Sequence, residues 1–323
     1  MDGLIVWMLL HFVLAAAGTW LARRYSMRRN LLDEPGERRS HAVATPRGGG
    51  ISIVVAILLG TAWLALQWPQ HALLLSCFGI GLVLVAGTGW LDDHRPLSPW
   101  SRLAVQALAA LILAWAVHRT TGDLMPAAAA FGLVMVLVNV WNFMDGIDGL
   151  AASQAAIVAA GLAWALGSGP WAWLAAALVA GVAGFLPFNF PKARIFLGDV
   201  GSSALGYVLA MLIVAAGQWS QTYWVLLLLP VSAFLVDAGF TLVMRMLRGE
   251  RWWAAHVQHA YQVWARRRGG HVLVTSGYAA FSLLAVAVML LASKWQETPM
   301  LWACFAWYGL AILVRCACAR TSD

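Results

Sequence analysis

Apolar runs of about twenty residues recur along the whole chain, separated by short connections that collect its Arg, Asp, Gly and Pro. A helix needs roughly 20 apolar residues to cross hydrocarbon. Runs near that size lie at 3–22, 48–67, 71–90, 101–118, 126–142, 150–167, 170–187, 202–217, 222–243, 272–292 and 299–317. They are solid Leu, Ala, Val and Trp stretches, without the alternation of a barrel strand. The pattern predicts an all-α polytopic membrane protein, one domain over 1–323 with about 11 transmembrane helices. The fifth and eighth runs are short, which predicts that their ends border polar cavities rather than lipid. No basic residue precedes the first run and a basic cluster follows it, so it is expected to remain as a helix rather than act as a cleaved leader.

Composition agrees: 62% of the 323 residues are hydrophobic and 11% charged, far from a soluble domain. The net charge of +7 would suggest nucleic acid on a soluble protein, but here the positions of the charges matter more. Nineteen of the 21 Lys and Arg fall in alternate loops, and the other set holds only Arg119 and Lys294. The positive-inside rule then places the N-terminus in the periplasm and the C-terminus in the cytoplasm of a bacterial inner membrane, with no nucleic-acid partner. The four cysteines lie in or beside apolar runs and read as small core residues, with neither a disulfide framework nor a zinc site.

With sides assigned, the informative polar residues fall on the cytoplasmic face, in loops near 23–47, 91–100, 143–149, 188–201 and 245–271. Asp92, Asp93, Asp145, Asp148 and Asp199 come from three of them. Carboxylates converging near hydrocarbon repel one another unless a cation compensates. Mg²⁺ suits them, taking one or two carboxylates and filling its shell with water and phosphate oxygens. The alternative for any single Asp is a helix cap or a pairing with Arg.

Gly48-Gly49-Gly50, the Asp145-Gly146-Ile147-Asp148-Gly149 stretch and Gly198-Asp199-Val200-Gly201 allow backbone amides to approach an anion, each before a predicted helix. Glycine also serves tight reversals and helix packing. With Arg38, Arg39, Arg47, Lys192 and Arg194 alongside, the pattern suits a magnesium-bound nucleotide diphosphate. His256 and His259, if helical, share one face and could contact phosphate or exchange a proton; the alternative is a surface pair on an interfacial helix. His11, His71, His118 and His271 read as interfacial. Asp237, deep in the ninth run, reads as a support for the cluster rather than a participant in chemistry.

Together these motifs resemble the polyprenyl-phosphate N-acetylhexosamine-1-phosphate transferases (glycosyltransferase family 4), which include the lipid I-forming enzyme. The most specific stretches are Asn139-x-x-Asn142-x-x-Asp145-Gly146-x-Asp148-Gly149-Leu150 and Phe196-Leu197-Gly198-Asp199-Val200-Gly201-Ser202. The resemblance implies transfer of a sugar-1-phosphate from a UDP-N-acetylhexosamine to undecaprenyl phosphate, with release of UMP and a need for Mg²⁺, Mn²⁺ being an alternative. It makes Asp199 the principal metal ligand, with Asp145 beside it, and puts Asp92 and Asp93 near the acceptor phosphate. Asn142, Asp145, Gly146, Ile147 and Asp148 would line the nucleotide pocket, Phe196 would stack on uracil, and Asn189 would support that loop. Arg39, Thr45 and Asn139 fall among the expected substrate contacts, and His256 and His259 among the catalytic groups. The family's cell-wall branch carries three adjacent histidines, whereas His256-x-x-His259 is similar to the branch that starts O-antigen and related surface polysaccharides. The usual lysine after the paired Asp is replaced by His94-Arg95-Pro96, which leaves open which cation meets phosphate.

The favoured chemistry is direct displacement, with Asp92 or Asp93 taking any proton from the lipid phosphate; an aspartyl-phosphate route is the alternative. A transporter would instead place its ionisable groups near the membrane midplane. A CDP-alcohol transferase would concentrate its acids in one short motif. The amino sugar, the polysaccharide pathway and whether the chain forms a homodimer are left open by the sequence.

Overall fold

The computed structural model describes residues 2–34, 44–219, 223–251, 253, 256–268 and 270–319. Among them the helices are α1 (Asp2–Arg28), α2 (Ile51–Gln67), α3 (Ala72–His94), α4 (Pro99–Thr121), α5 (Leu124–Phe143), α6 (Leu150–Leu166) and α7 (Pro170–Asn189). Then come α8 (Gly198–Trp219), α9 (Trp224–Leu227), α10 (Ser232–Leu247), α11 (Ala260–Arg268), α12 (His271–Ala292) and α13 (Glu297–Ala319). Two short strands, β1 (Leu32–Asp33) and β2 (Thr45–Pro46), pair antiparallel with Asp33 opposite Thr45. The protein is an all-α polytopic membrane protein.

Helix boundaries follow local chemistry. Ser98 caps α4 by accepting the Ser101 N–H, Pro99 sits in its first turn, and Gly122 ends it in the left-handed region. Asp123 then caps α5 through the Met125 N–H at 2.9 Å.

Eight described helices are long and apolar enough to span: α1, α3 with its preceding turn, α4, α5, α7, α8, α12 and α13. The expected eleven runs therefore divide unevenly, since α2 and α6 are apolar but have only 17 residues, and the ninth run is split into α9 and α10. The fifth and eighth runs, expected to be short, are full helices of 20 and 22 residues. Their ends carry Asn139, Asn142, Asp199, Ser202 and Ser203, which are helical and only partly exposed or buried, so hydropathy alone trims them.

The centre of the bundle is α8, whose apolar window is 94% buried. A helix apolar on every side belongs in the middle, and α2, α3, α5, α6 and α7 surround it. Lipid gives no hydrophobic drive between helices, so small residues that permit close approach carry the packing. A Cβ on Gly206 would stand 2.3 Å from the Leu137 carbonyl, and one on Gly184 would stand 2.4 Å from that of Phe12. The outer helices α1 and α13 expose Leu9, Trp302 and Phe305.

Successive spans run in opposite directions, so one end of the bundle gathers 44–50 and the α3–α4, α5–α6, α7–α8 and α10–α12 connections. Among the described residues Arg47, Arg95, Arg102, Lys192 and Arg194 lie at the same end. There Gly50 abuts α8: its Cβ would lie 2.2 Å from the Gly201 Cα, backbone that cannot swing aside. Gly50→Ala is expected to lower stability by about 1–3 kcal/mol through overpacking, read as a fall in the thermal midpoint of detergent-solubilised protein. Gly87→Ala, with nothing within 4 Å, should leave the midpoint unchanged.

Candidate active site

The site starts from a contact between two helix ends. Asp93, in the last turn of α3 and 3% exposed, accepts the N–H groups of Asp199 (3.1 Å) and Val200 (3.2 Å). Its carboxylate thus satisfies amides that the first turn of α8 would otherwise leave open. Arg47 backs it, with Nε 4.0 Å from Oδ1 and Nη2 donating to its carbonyl. Asp93 is architectural here, and Arg47 is turned toward it rather than left for a phosphate.

Asp92 points to the other side. Arg102, in the first turn of α4, donates Nη1 to Asp92 Oδ2 at 2.8 Å and to Asp199 Oδ2 at 3.3 Å. Asn142 donates to Asp199 Oδ1 at 2.9 Å and to the Ser202 hydroxyl at 3.2 Å. Asn139 donates to Gln106 Oε1 at 2.8 Å. Arg102, Gln106, Asn139, Asn142, Asp199 and Ser203 line one polar pocket between α3, α4, α5 and α8. Neither Arg102 nor Gln106 belongs to a motif of the chain; the place of Arg102 four residues before Gln106 on one helix face is the signal available in the sequence.

Gly49 and Gly50 do not present their amides to solvent as expected. Gly49 and Gly50 donate to the carbonyls of Phe196 (2.9 Å) and Leu197 (2.8 Å), and the Phe196 N–H donates to Pro46 O at 2.8 Å. A Cβ on Gly89 would stand 2.4 Å from the Asp199 carbonyl, and Gly198 (φ +76°) packs on Asp93 and Gly48. Close backbone approach explains these glycines, and Phe196 and Thr45 belong to the same pinned layer.

A second cluster lies beside the 143–149 loop. Asp148, 9% exposed, is a pin: it accepts the Ala193 N–H at 3.1 Å and pairs with His271 Nδ1 at 3.2 Å. Asn189 is another, accepting from the Gly149 N–H (2.9 Å) and donating to Ile195 O (3.0 Å). Ile147 is buried and Gly146 is exposed, with the Tyr261 hydroxyl 2.1 Å from where its Cβ would be. Tyr261 donates to Phe143 O at 3.0 Å, a link the sequence reading did not foresee. His271 is a partner of Asp148 and His11 is buried in α1, so neither is merely interfacial.

The Asp145 carboxylate is half-buried and finds no hydrogen bond or ion pair among the described residues. Burial, then the negative charges of Asp93 and Asp33, push it up to about 8.

His256 and His259 stand on an irregular segment before α11, not on a helix, yet their ring centroids are 4.7 Å apart. His259 is 3% exposed, stacks on Phe143, and its Nδ1 has no hydrogen-bond partner. Burial, then the neighbouring His259 and Arg245, lower His256 to about 4; burial also lowers His259. Both rings are neutral near pH 7. Arg39 lies outside the described residues.

The donor set can be tested against a divalent ion. Asp92 and Asp199 share the Arg102 cation. Among the described residues no group of three or more His, Cys, Asp or Glu forms a cage. One or two hard carboxylates at a polar pocket are what Mg²⁺ takes when substrate phosphates and water complete its shell. Asp199 and Asp92 fit; Asp145 stands in the neighbouring loop.

The fold and site define a polytopic membrane protein that gathers carboxylates, one bridging arginine and two neutral imidazoles at one end of its bundle. The family model for glycosyl transferase family 4 matches residues 72–217, the α3–α8 segment that builds that end. A phospho-N-acetylmuramoyl-pentapeptide-transferase of Heliobacterium modesticaldum is 32% identical over 237 residues, 62% of this chain and 72% of that protein. A decaprenyl-phosphate N-acetylglucosaminephosphotransferase of Mycobacterium tuberculosis is 35% identical over 219 residues, 58% of this chain. The match spans about half, 54%, of the mycobacterial protein's length. A probable undecaprenyl-phosphate N-acetylglucosaminyl 1-phosphate transferase of Bacillus subtilis is 26% identical over 276 residues, 79% of this chain and 76% of that protein. The chain belongs to glycosyl transferase family 4.

The imidazoles give a pH prediction. His256 binds its proton near 4 when folded and near the ordinary 6.5 when unfolded. The unfolded chain therefore takes up protons first as pH falls, so stability is full above about 6.5 and drains away between 6.5 and 4. Thermal midpoints measured across that window should fall less steeply for His256→Gln than for the parent.

Proposed function

We propose that the protein transfers N-acetylhexosamine-1-phosphate from a UDP-sugar to undecaprenyl phosphate at the cytoplasmic face of the inner membrane, releasing UMP. The product would initiate O-antigen or a related surface polysaccharide. The observation that carries this reading is the Asp92–Arg102–Asp199–Asn142 cluster, which combines two acids, a bridging cation and an amide, with Arg102, Asn142 and Asp199 lining one polar pocket. The basic loops at the same end support the cytoplasmic assignment, and the names of the relatives support the acceptor class.

An oxygen of the lipid phosphate attacks the sugar-linked phosphorus; a new P–O bond forms, the bond to the bridging oxygen breaks, and that oxygen leaves with UMP. Both reactants are anions, so repulsion is the main obstacle. Arg102 stands between the two carboxylates, with a guanidinium that would turn to a phosphate were a divalent cation to take up their charge. Mg²⁺ held by Asp199 and Asp92 would neutralise the diphosphate and stabilise the leaving phosphate. Asp92 rather than Asp93 stands toward the acceptor phosphate, since Asp93 is committed to the α8 amides, and the lipid phosphate attacks through an oxygen that already carries its charge. His256 and His259, neutral and adjacent, offer N–H donors to the donor's phosphoryl or sugar oxygens.

The test is formation of an organic-extractable product by purified protein supplied with a panel of labelled UDP-N-acetylhexosamines and undecaprenyl phosphate. The expected result is product from at least one sugar, lost with EDTA and reduced by about 100-fold or more in Asp199→Asn. Arg102→Ala should lose more than Arg102→Lys. No lipid product from any sugar, with labelled solute accumulating in sealed vesicles, contradicts the reading and supports a transporter.

A further inference from the structure

Asp237 takes no part in the pocket, yet it is among the most heavily bonded carboxylates of the fold. It is 1% exposed on α10. Its Oδ1 accepts the Ala260 N–H at 2.7 Å, and its Oδ2 accepts the Tyr261 N–H at 3.1 Å and the Tyr278 hydroxyl at 2.7 Å. Arg315 Nε, from α13, is 3.7 Å from Oδ1. One carboxylate therefore touches α10, α11, α12 and α13.

Ala260 and Tyr261 open α11, and His259 is the residue before them. Helix α11 has nine residues, too short to hold itself, and its first amides need acceptors. Capping normally comes from the residue that precedes a helix; here the acceptor comes from another helix. The consequence reaches the site. Fixing Tyr261 N–H fixes its ring, which stacks beside His259 at 5.8 Å and whose hydroxyl donates to Phe143 O at 3.0 Å. The far end of the same segment is tied by Gln258 to Glu250 at 3.1 Å, itself 3.5 Å from Arg245.

We propose that Asp237 is a positioning residue: by capping α11 from α10 it fixes where His256 and His259 stand over the 143–149 loop. This rests on the reading of the imidazole pair as contacts to the sugar-nucleotide donor.

The test uses the full chain, purified, as Asp237→Ala, Asp237→Asn and Tyr261→Phe, with amide hydrogen exchange and steady-state kinetics on the same samples. In Asp237→Ala the amides of 260 and 261 should exchange about tenfold faster or more while those of α8 stay protected. The Michaelis constant for the accepted UDP-sugar should rise about tenfold, with kcat and the constant for undecaprenyl phosphate changed by less than about threefold. Asp237→Asn, which keeps an acceptor and nearly the same volume, should fall between it and the parent. Tyr261→Phe should raise the same constant without loss of protection at 260. Unchanged exchange at 260–261 overturns the proposal, as does equal loss of kcat with both constants unaltered. Loss of protection through α8 also overturns it, since the residue would then hold the whole fold. If the parent makes no lipid product from any UDP-sugar, the proposed reaction fails, while exchange across 256–261 still decides whether Asp237 orders the segment.

Discussion

A carboxylate inside an apolar bundle survives only if hydrogen bonds replace the water it has lost, and the bond from Asp93 to the α8 amides is the one on which the site depends. It joins the end of α3 to the start of α8, the central helix. Asp92, its sequence neighbour about a third of a turn away, meets the Leu97 amide and Arg102 instead. Because the accepted amides belong to Asp199 and Val200, the same bond sets the direction of the Asp199 side chain. Arg102 and Asn142 then close around a geometry already decided.

Much of this was legible from the sequence, for physical reasons. Spanning length and the collection of acids at one set of loops both follow from what hydrocarbon tolerates; the all-helical bundle agrees, and Asp92, Asp93 and Asp199 meet around the start of α8. What the sequence could not supply was the partner of each polar group. Asp92 and Asp93 look alike as a pair, yet one meets Arg102 and the Leu97 amide while the other caps α8. Asp148 and Asn189 bear the marks of substrate contacts and are buried pins between loops. The glycine turns read as anion cradles because a bare amide and a close-packed backbone need the same residue; only the placement of 196–201 against 48–50 separates them.

The histidine segment teaches the same point at longer range. Its spacing correctly brought two rings together, though on an irregular stretch rather than a helical face. The order of that stretch comes from Asp237, more than twenty residues away in sequence and on a different helix. No local pattern encodes such a cap. A deep acid in an apolar run was the available clue, and it indicated support without saying of what.

The central claim is that Asp199 and Asp92 hold a divalent ion while Asp93 holds the scaffold. Mn²⁺ titration followed by electron paramagnetic resonance tests it most directly, using purified parent, Asp199→Asn and Asp93→Asn of matched folding. One bound ion is expected in the parent, with affinity weakened by about tenfold or more in Asp199→Asn and a smaller loss in folded Asp93→Asn, which disturbs Asp199 only through the amides it caps. Equal Mn²⁺ affinity in the parent and Asp199→Asn would contradict it.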